Sequence, residues 1–329
     1  DPPKVALAEP SAKARQFFQL GQYYRYKRTT VDYYHTSFDV AIDYYHKAIA
    51  ESPDYAEAYA ELARSWIVLA VWGYSSPNIA VSEAQIAVDK ALALNPDSYL
   101  AHNVLGVIKF LYHWQWLDAQ KQLRKAIQIN PSSSDARQWL ALLLSSKALH
   151  QDAYEQMLQA EHTDPLSPLI KTQKAYLKLL AGDLKSAASL SQAAIDFNPF
   201  FHGAHFIKGW VSNLQGDFSA AEQQLKLAED SHFTRLQLAV VHARNGQTDK
   251  AMLLLDDALA LRKDTKTYIS AYSVATVYTA LGQHDEALKW LELAIGEKAV
   301  WVSRIQVDPD LDALRVLPEF QRLVATLPF

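Results

Sequence analysis

Not one cysteine occurs in the 329 residues, which removes disulfides, thiol nucleophiles and cysteine-ligated metals together and leaves the redox compartment open. A basic surplus is missing too. Lys and Arg number 32 against 36 Asp and Glu, a formal charge of −4 with a pI near 6.3, so no bulk positive field draws nucleic acid. No apolar run approaches the roughly 18–20 residues of a membrane span. The 11 histidines show no H-E-x-x-H or similar ligand spacing, and neither a glycine-rich phosphate loop nor a G-x-S-x-G turn is present. These absences predict no enzyme, no metal and no cofactor. Glycine is also scarce, at 10 residues, while long stretches run rich in Ala, Leu, Gln, Lys and Glu, a composition that favours helix.

What is present is a period. Alanine pairs seven residues apart recur at Ala41/Ala48, Ala84/Ala91, Ala119/Ala126, Ala153/Ala160, Ala187/Ala194, Ala221/Ala228, Ala251/Ala258 and Ala287/Ala294, and their first members step by 43, 35, 34, 34, 34, 30 and 36 residues. Seven residues make about two helical turns, so each pair lies on one face, where small side chains admit a neighbouring helix closely. Pro53, Pro96, Pro131, Pro165 and Pro199 each fall five residues after the second alanine and are predicted to end that helix. Another small residue precedes the first alanine by twelve in five repeats, at Ala141, Ala175, Gly209, Ala239 and Ala275. Gly182, Gly216, Gly246 and Gly282 mark the turn between the two helices.

This pattern resembles the tetratricopeptide repeat, a helix–turn–helix unit of 34 residues, over eight units at roughly residues 11–295. The resemblance implies an all-α, right-handed superhelical solenoid of about eight helical hairpins, in which each repeat buries its surface against its neighbours. Residues 1–10 would be an N-terminal linker and 296–329 a C-terminal capping segment, with Asp308 to Leu323 closing the last repeat. Between the small residue of helix A and the first alanine of helix B, repeat one spans 20 residues (Gly21 to Ala41), repeat two 21 (Ala63 to Ala84) and repeat three 13 (Gly106 to Ala119). The extra residues are expected at the A–B turns, which line one edge of a solenoid.

Two surfaces follow as binding candidates. The edge of inserted turns would carry Tyr33, Tyr34, Trp72, Tyr74, His113 and Trp114, either packing on one another or forming a pocket or partner surface for a sugar or peptide. The concave face would carry Asn103, Gln138, Thr172, Tyr176, Phe206, Trp210, Asn213 and Tyr272, with the aromatic members as anchors for an extended peptide or small ligand, or as packing between repeats. Trp116 sits three residues before Ala119, in a slot that plugs the two helices together. Its replacement by Ala is expected to cost about 3–5 kcal/mol, and that of Trp114 clearly less. No Lys is followed by Asn four residues later, so the carboxylate clamp of chaperone-tail binders is not expected. "YYRYKR" (Tyr23 to Arg28) interleaves basic and aromatic residues, a pattern that can stack bases but that snorkelling side chains at a helix end also explain.

A narrower resemblance rests on "LARSWIVLAVWGYSSPNIAVSEAQIAVDKALALNPDSYLAHNVLG", "HWQWLDAQKQLRKAIQINP", "AEHTDPLSP" and "VDPDLDALRVLPEFQRLV". These are similar to the C-terminal repeat region of bacterial winged-helix transcription regulators (CadC/ToxR-like and HilA-like). The resemblance implies a bacterial sensory region that binds a protein or peptide, or a small molecule. It would not itself contact nucleic acid, with a homodimer left open, and it would be periplasmic if membrane-anchored and cytoplasmic otherwise. The start, Asp1-Pro2-Pro3-Lys4, reads as a trimmed fragment. The alternative is a free-standing scaffold that bridges proteins.

Overall fold

The structure, a computed structural model, describes residues 9–26, 34–228, 230–263 and 268–328. Within them the chain is helical and divides into two compact units, residues 1–113 with 117–131 and residues 114–116 with 132–329. In the first unit α1 (Ala12–Tyr26) pairs with α2 (Tyr34–Glu51), α3 (Ala56–Val71) with α4 (Pro77–Leu94), and α5 (Tyr99–Leu111) with α6 (Trp116–Ile129). The second unit holds five hairpins: α7 (Ser134–Ser146) with α8 (His150–Thr163), α9 (Pro168–Leu180) with α10 (Leu184–Phe197), α11 (His202–Leu214) with α12 (Phe218–Leu227), α13 (His232–Arg244) with α14 (Thr248–Lys263), and α15 (Ala271–Ala280) with α16 (His284–Gly296). After these come the 3-10 turns Val300–Arg304 and Pro309–Leu314 and a short α17 (Pro318–Ala325).

The alanine ladder is the seam of each hairpin. Every alanine of the eight pairs is buried, because only a methyl group fits where the two helix backbones approach. The slot on helix A is tighter still. A Cβ on Gly106 would stand 2.7 Å from Leu123 Cγ, and one on Gly209 would stand 2.8 Å from Leu225 Cγ and 3.1 Å from the Ala221 carbonyl oxygen. Gly209→Ala should therefore lower stability by about 1–3 kcal/mol through overpacking, read as a fall in the urea midpoint. Gly216→Ala tests a different cause, since nothing lies within 4 Å of its Cβ position and only its φ of +81° resists the change.

Local chemistry sets the helix ends. Ser98, Ser133, Ser167 and Ser231 each cap a helix A by accepting a hydrogen bond from the N–H three residues on, while Asp183 and Asp217 do the same for helix B, as short polar side chains at the N-cap do. In two repeats a histidine staples helix A to what surrounds it. His102 lies 2.7 Å from Gln122 and 2.9 Å from the Pro96 carbonyl, and His205 lies 2.8 Å from Gln224 and 2.9 Å from the Pro199 carbonyl.

The irregular repeats depart from expectation at repeat two and at Trp114, which was expected among the inserted turns. The extra residues of repeat two do not make a long turn: α3 and α4 are 16 and 18 residues against 13 and 14 for α5 and α6, so apolar helix formers extended both helices and left residues 72–76 between them. The short step after repeat six shortens α12 to 10 residues. Trp114 has an equivalent after all, since it falls five residues before Ala119, the offset of Gly182, Gly216, Gly246 and Gly282 from their alanines. Its φ of +54° matches theirs, and Ala148 holds the same place at +58°.

Candidate functional site

The faces of α9, α11, α13 and α15 within the second unit carry Tyr176, Phe206, Trp210 and Tyr272 of the expected concave set. These faces are covered. The segment from Val300 to Leu314 lies along them as a strap, so of the two alternatives, anchors or packing, Trp210 at 1% and Tyr272 at 0% exposed are packed. Arg304 is the centre of the contact. Its guanidinium carbon lies 4.4 Å from the ring centroid of Trp301, 4.9 Å from Trp210, 5.7 Å from Tyr272 and 6.0 Å from Tyr176, an arrangement in which a desolvated cation is attracted to ring faces. The same guanidinium donates to the Tyr176 hydroxyl at 3.0 Å and to Asp308 Oδ2 at 2.8 Å. The Tyr272 hydroxyl donates to that carboxylate oxygen at 2.8 Å, and the Asp310 N–H donates to Oδ1 at 3.0 Å.

Two further contacts fix the strap. Asp310 accepts from Gln237 Nε2 at 3.2 Å and pairs with Arg244 at 3.0 Å. Trp301 stacks on Phe233 at 5.9 Å, and Phe233 stacks on Phe206 at 4.8 Å, so an aromatic row runs from α11 across α13 to the strap. Upstream, Glu297 ties the exit from α16 to α14 and α15 by accepting from the Ala271 N–H at 2.8 Å, Arg262 at 2.6 Å and the Tyr268 hydroxyl at 3.1 Å.

The ionisation of these groups follows from where they sit. Burial pushes the Tyr176 and Tyr272 hydroxyls above the ordinary tyrosine value, and Asp308 adds to the rise. Burial works against the Arg304 charge, but Tyr176, Asp308 and Tyr272 more than offset it and hold the guanidinium protonated. Burial also raises the Asp310 carboxyl, with Arg244 opposing.

The other expected residues are placed as follows. Asn213, on the same helix as Trp210, is 2% exposed, and neither of its amide atoms has a hydrogen-bond partner among the described residues. Gln138 and Thr172 are buried in the second unit and Asn103 in the first. Tyr33 lies outside the described residues, as do the Tyr34 side chain, Lys27 and Arg28. Arg25 of the basic–aromatic stretch is buried 3.2 Å from Glu61, a structural use. Trp72 caps α3 and is 46% exposed, and Tyr74 and His113 are half-buried. Trp114, offered as an edge residue, is 8% exposed and sits in a cluster with Tyr272, Val302, Ile305, Leu311 and Phe320. Sequence reasoning missed Trp301, Arg304, Asp308, Asp310, Phe233, Gln237 and Arg244. The only signal was the acidic "VDPDLD" run, assigned to a terminal cap. Among the described residues no three His, Asp or Glu side chains group to hold a metal ion, and no helix is long and apolar enough to cross a membrane.

Residues 234–265 match the tetratricopeptide repeat family. No curated protein matches the sequence. Among solved structures, the chain is similar to PilW, a type IV pilus biogenesis factor, at 16% identity and a TM-score of 0.50, covering 66% of this chain and 92% of that one. It is also similar to the human IFIT1 dimer with m7Gppp-AAAA, at 15% identity and a TM-score of 0.58, covering 86% and 76%. At these identities the likeness establishes the fold: an all-helical tetratricopeptide-type repeat protein.

Proposed function

We propose that the chain is a non-enzymatic scaffold that binds extended segments of partner proteins. The observation that carries this reading is the strap itself, an irregular stretch of polypeptide seated across four A helices by a caged arginine and two buried aspartates. Rigid helices with aromatic anchors and a few placed polar groups suit recognition of an extended peptide. The exposed Trp72 turn offers a second surface of aromatic character. The test is a displayed random-peptide library screened against the full chain, with hits located by hydrogen–deuterium exchange. Protection confined to α9, α11, α13 and α15, or to residues 72–76, supports the reading and says which surface acts. A library that yields no specific binder, either to the native chain or to a variant whose strap contacts are removed, defeats it.

A second reading, the sensory region of a bacterial transcription regulator, has support in the similarity of the long second repeat and the closing "VDPDLDALRVLPEFQRLV" to such proteins. It adds an output to the same binding activity. The coding sequence upstream of Asp1 tests it, since a winged helix there supports this reading and its absence from the gene defeats it.

A further inference from the structure

Tyr176, Trp210 and Tyr272 form three sides of a cage for a guanidinium, and each is supplied by a repeat helix, not by the strap. The fourth ring, Trp301, and the cation both come from the strap. Arg244 and Gln237, also on a repeat helix, wait for a carboxylate two residues beyond the one that pairs with the arginine. The receptor half of the site is therefore complete without the strap, and the strap reads as a ligand: an aromatic residue, an arginine three residues on, then acids four and six residues after the arginine. Buried ion pairs of this kind cost desolvation, and replacing one with hydrocarbon is often neutral or stabilising, so net stability alone is a weak reason for their presence here.

We propose that the α9–α11–α13–α15 face is a receptor site for an arginine-anchored, acid-flanked segment of a partner protein, held closed in this chain by its own strap as a resident ligand in cis. This rests on the reading of the chain as a peptide-binding scaffold and names the class of segment it takes. Val300, Val302 and Ile305 give the strap its apolar grip, and the tether to α16 keeps it at high local concentration. A competing segment engages only when the strap lifts.

The experiment uses the full chain and a fluorescein-labelled peptide of residues 299–316. In the double variant Arg304→Ala/Asp308→Ala both buried charges leave together, and Tyr176, Trp210, Tyr272, Gln237 and Arg244 stay. This variant should bind the peptide about 100-fold more tightly than the native chain does, the advantage expected when a tethered competitor is weakened. A peptide with Ala in place of its arginine should lose that binding. A double variant that keeps its helical circular dichroism yet binds neither peptide, or binds both alike, overturns the proposal. Should the variant fail to fold, the native chain supplies the reading. Strap amides that exchange through local opening, well ahead of those in α9, α11, α13 and α15, support a displaceable ligand, whereas strap amides that exchange only with global unfolding overturn it. Library hits that map elsewhere on the chain, combined with a silent strap peptide, defeat this assignment and leave the scaffold reading standing. A silent library and a silent peptide defeat both. Pairing of two double-variant chains in place of peptide binding would make the partner a second copy and overturn the assignment to a different protein.

Discussion

Replacing Arg304 with alanine is expected to destabilise the second unit by about 3–5 kcal/mol, the cost of stranding a buried charge when its partner is removed. Asp308 is 0% exposed, and among the described residues its carboxylate would keep the Tyr272 hydroxyl and the Asp310 N–H. Four ring faces would lose their cation at the same time. Removing Asp308 as well takes away the stranded charge, so the double variant should lose clearly less than the two single losses added together. That non-additivity is the mark of direct coupling between neighbours. Urea unfolding of the four-member cycle measures it, and strictly additive losses would show that the two side chains act independently.

The second large effect is at Trp114. Both it and Trp116 are buried, at 8% and 4%, so the expectation that Trp114 tolerates truncation gives way to comparable losses of about 3–5 kcal/mol for either indole. The two sites nevertheless differ in backbone. At φ +54° any side chain with a Cβ is strained by about 1–2 kcal/mol, and glycine is not. Trp114→Gly should therefore be the milder change by about 1 kcal/mol relative to Trp114→Ala, while Trp116 opens α6 with no left-handed backbone to relieve, so glycine should hold no advantage over alanine there. Ala148→Gly removes the same strain, at φ +58°, with no indole to lose, and should leave stability level or raised. Thermal melts of the five variants give the comparison, and a more stable Ala than Gly at position 114 would rule out backbone strain there.

The hairpins were legible in the sequence because their information is local. Each alanine pair, capping serine and terminal proline speaks for one helix end or one face, and the same signal returns every 34 residues or so. Trp114 was misplaced for a different reason. Counting forward from Gly106 puts the extra residue near it, whereas counting back from Ala119 puts it in the glycine slot, and a tryptophan there disguises the match. The inserts of repeat two read as turn because the repeat pattern stops there, although their composition favours helix. The strap's contacts could not be read, beyond the acidic run that marks a closing segment. It follows the last repeat, occurs once, and its decisive bond joins Arg304 to Tyr176 across 128 residues. No period reports a contact of that kind.

That separation bears on how the second unit comes together. A repeat stack is held by contacts between neighbours, so it can nucleate anywhere and fray from either end. The strap breaks that rule by touching α9, α11, α13 and α15 at once, which joins hairpins that are not adjacent and should make them melt as one body. It also raises the mean sequence distance of the contacts, which slows folding. During synthesis the helices from α9 onward emerge with Trp210 and Tyr272 uncovered, and they stay so until the strap of residues 300–314 follows. The emergence of the strap thus sets the time at which the second unit acquires its full cooperativity.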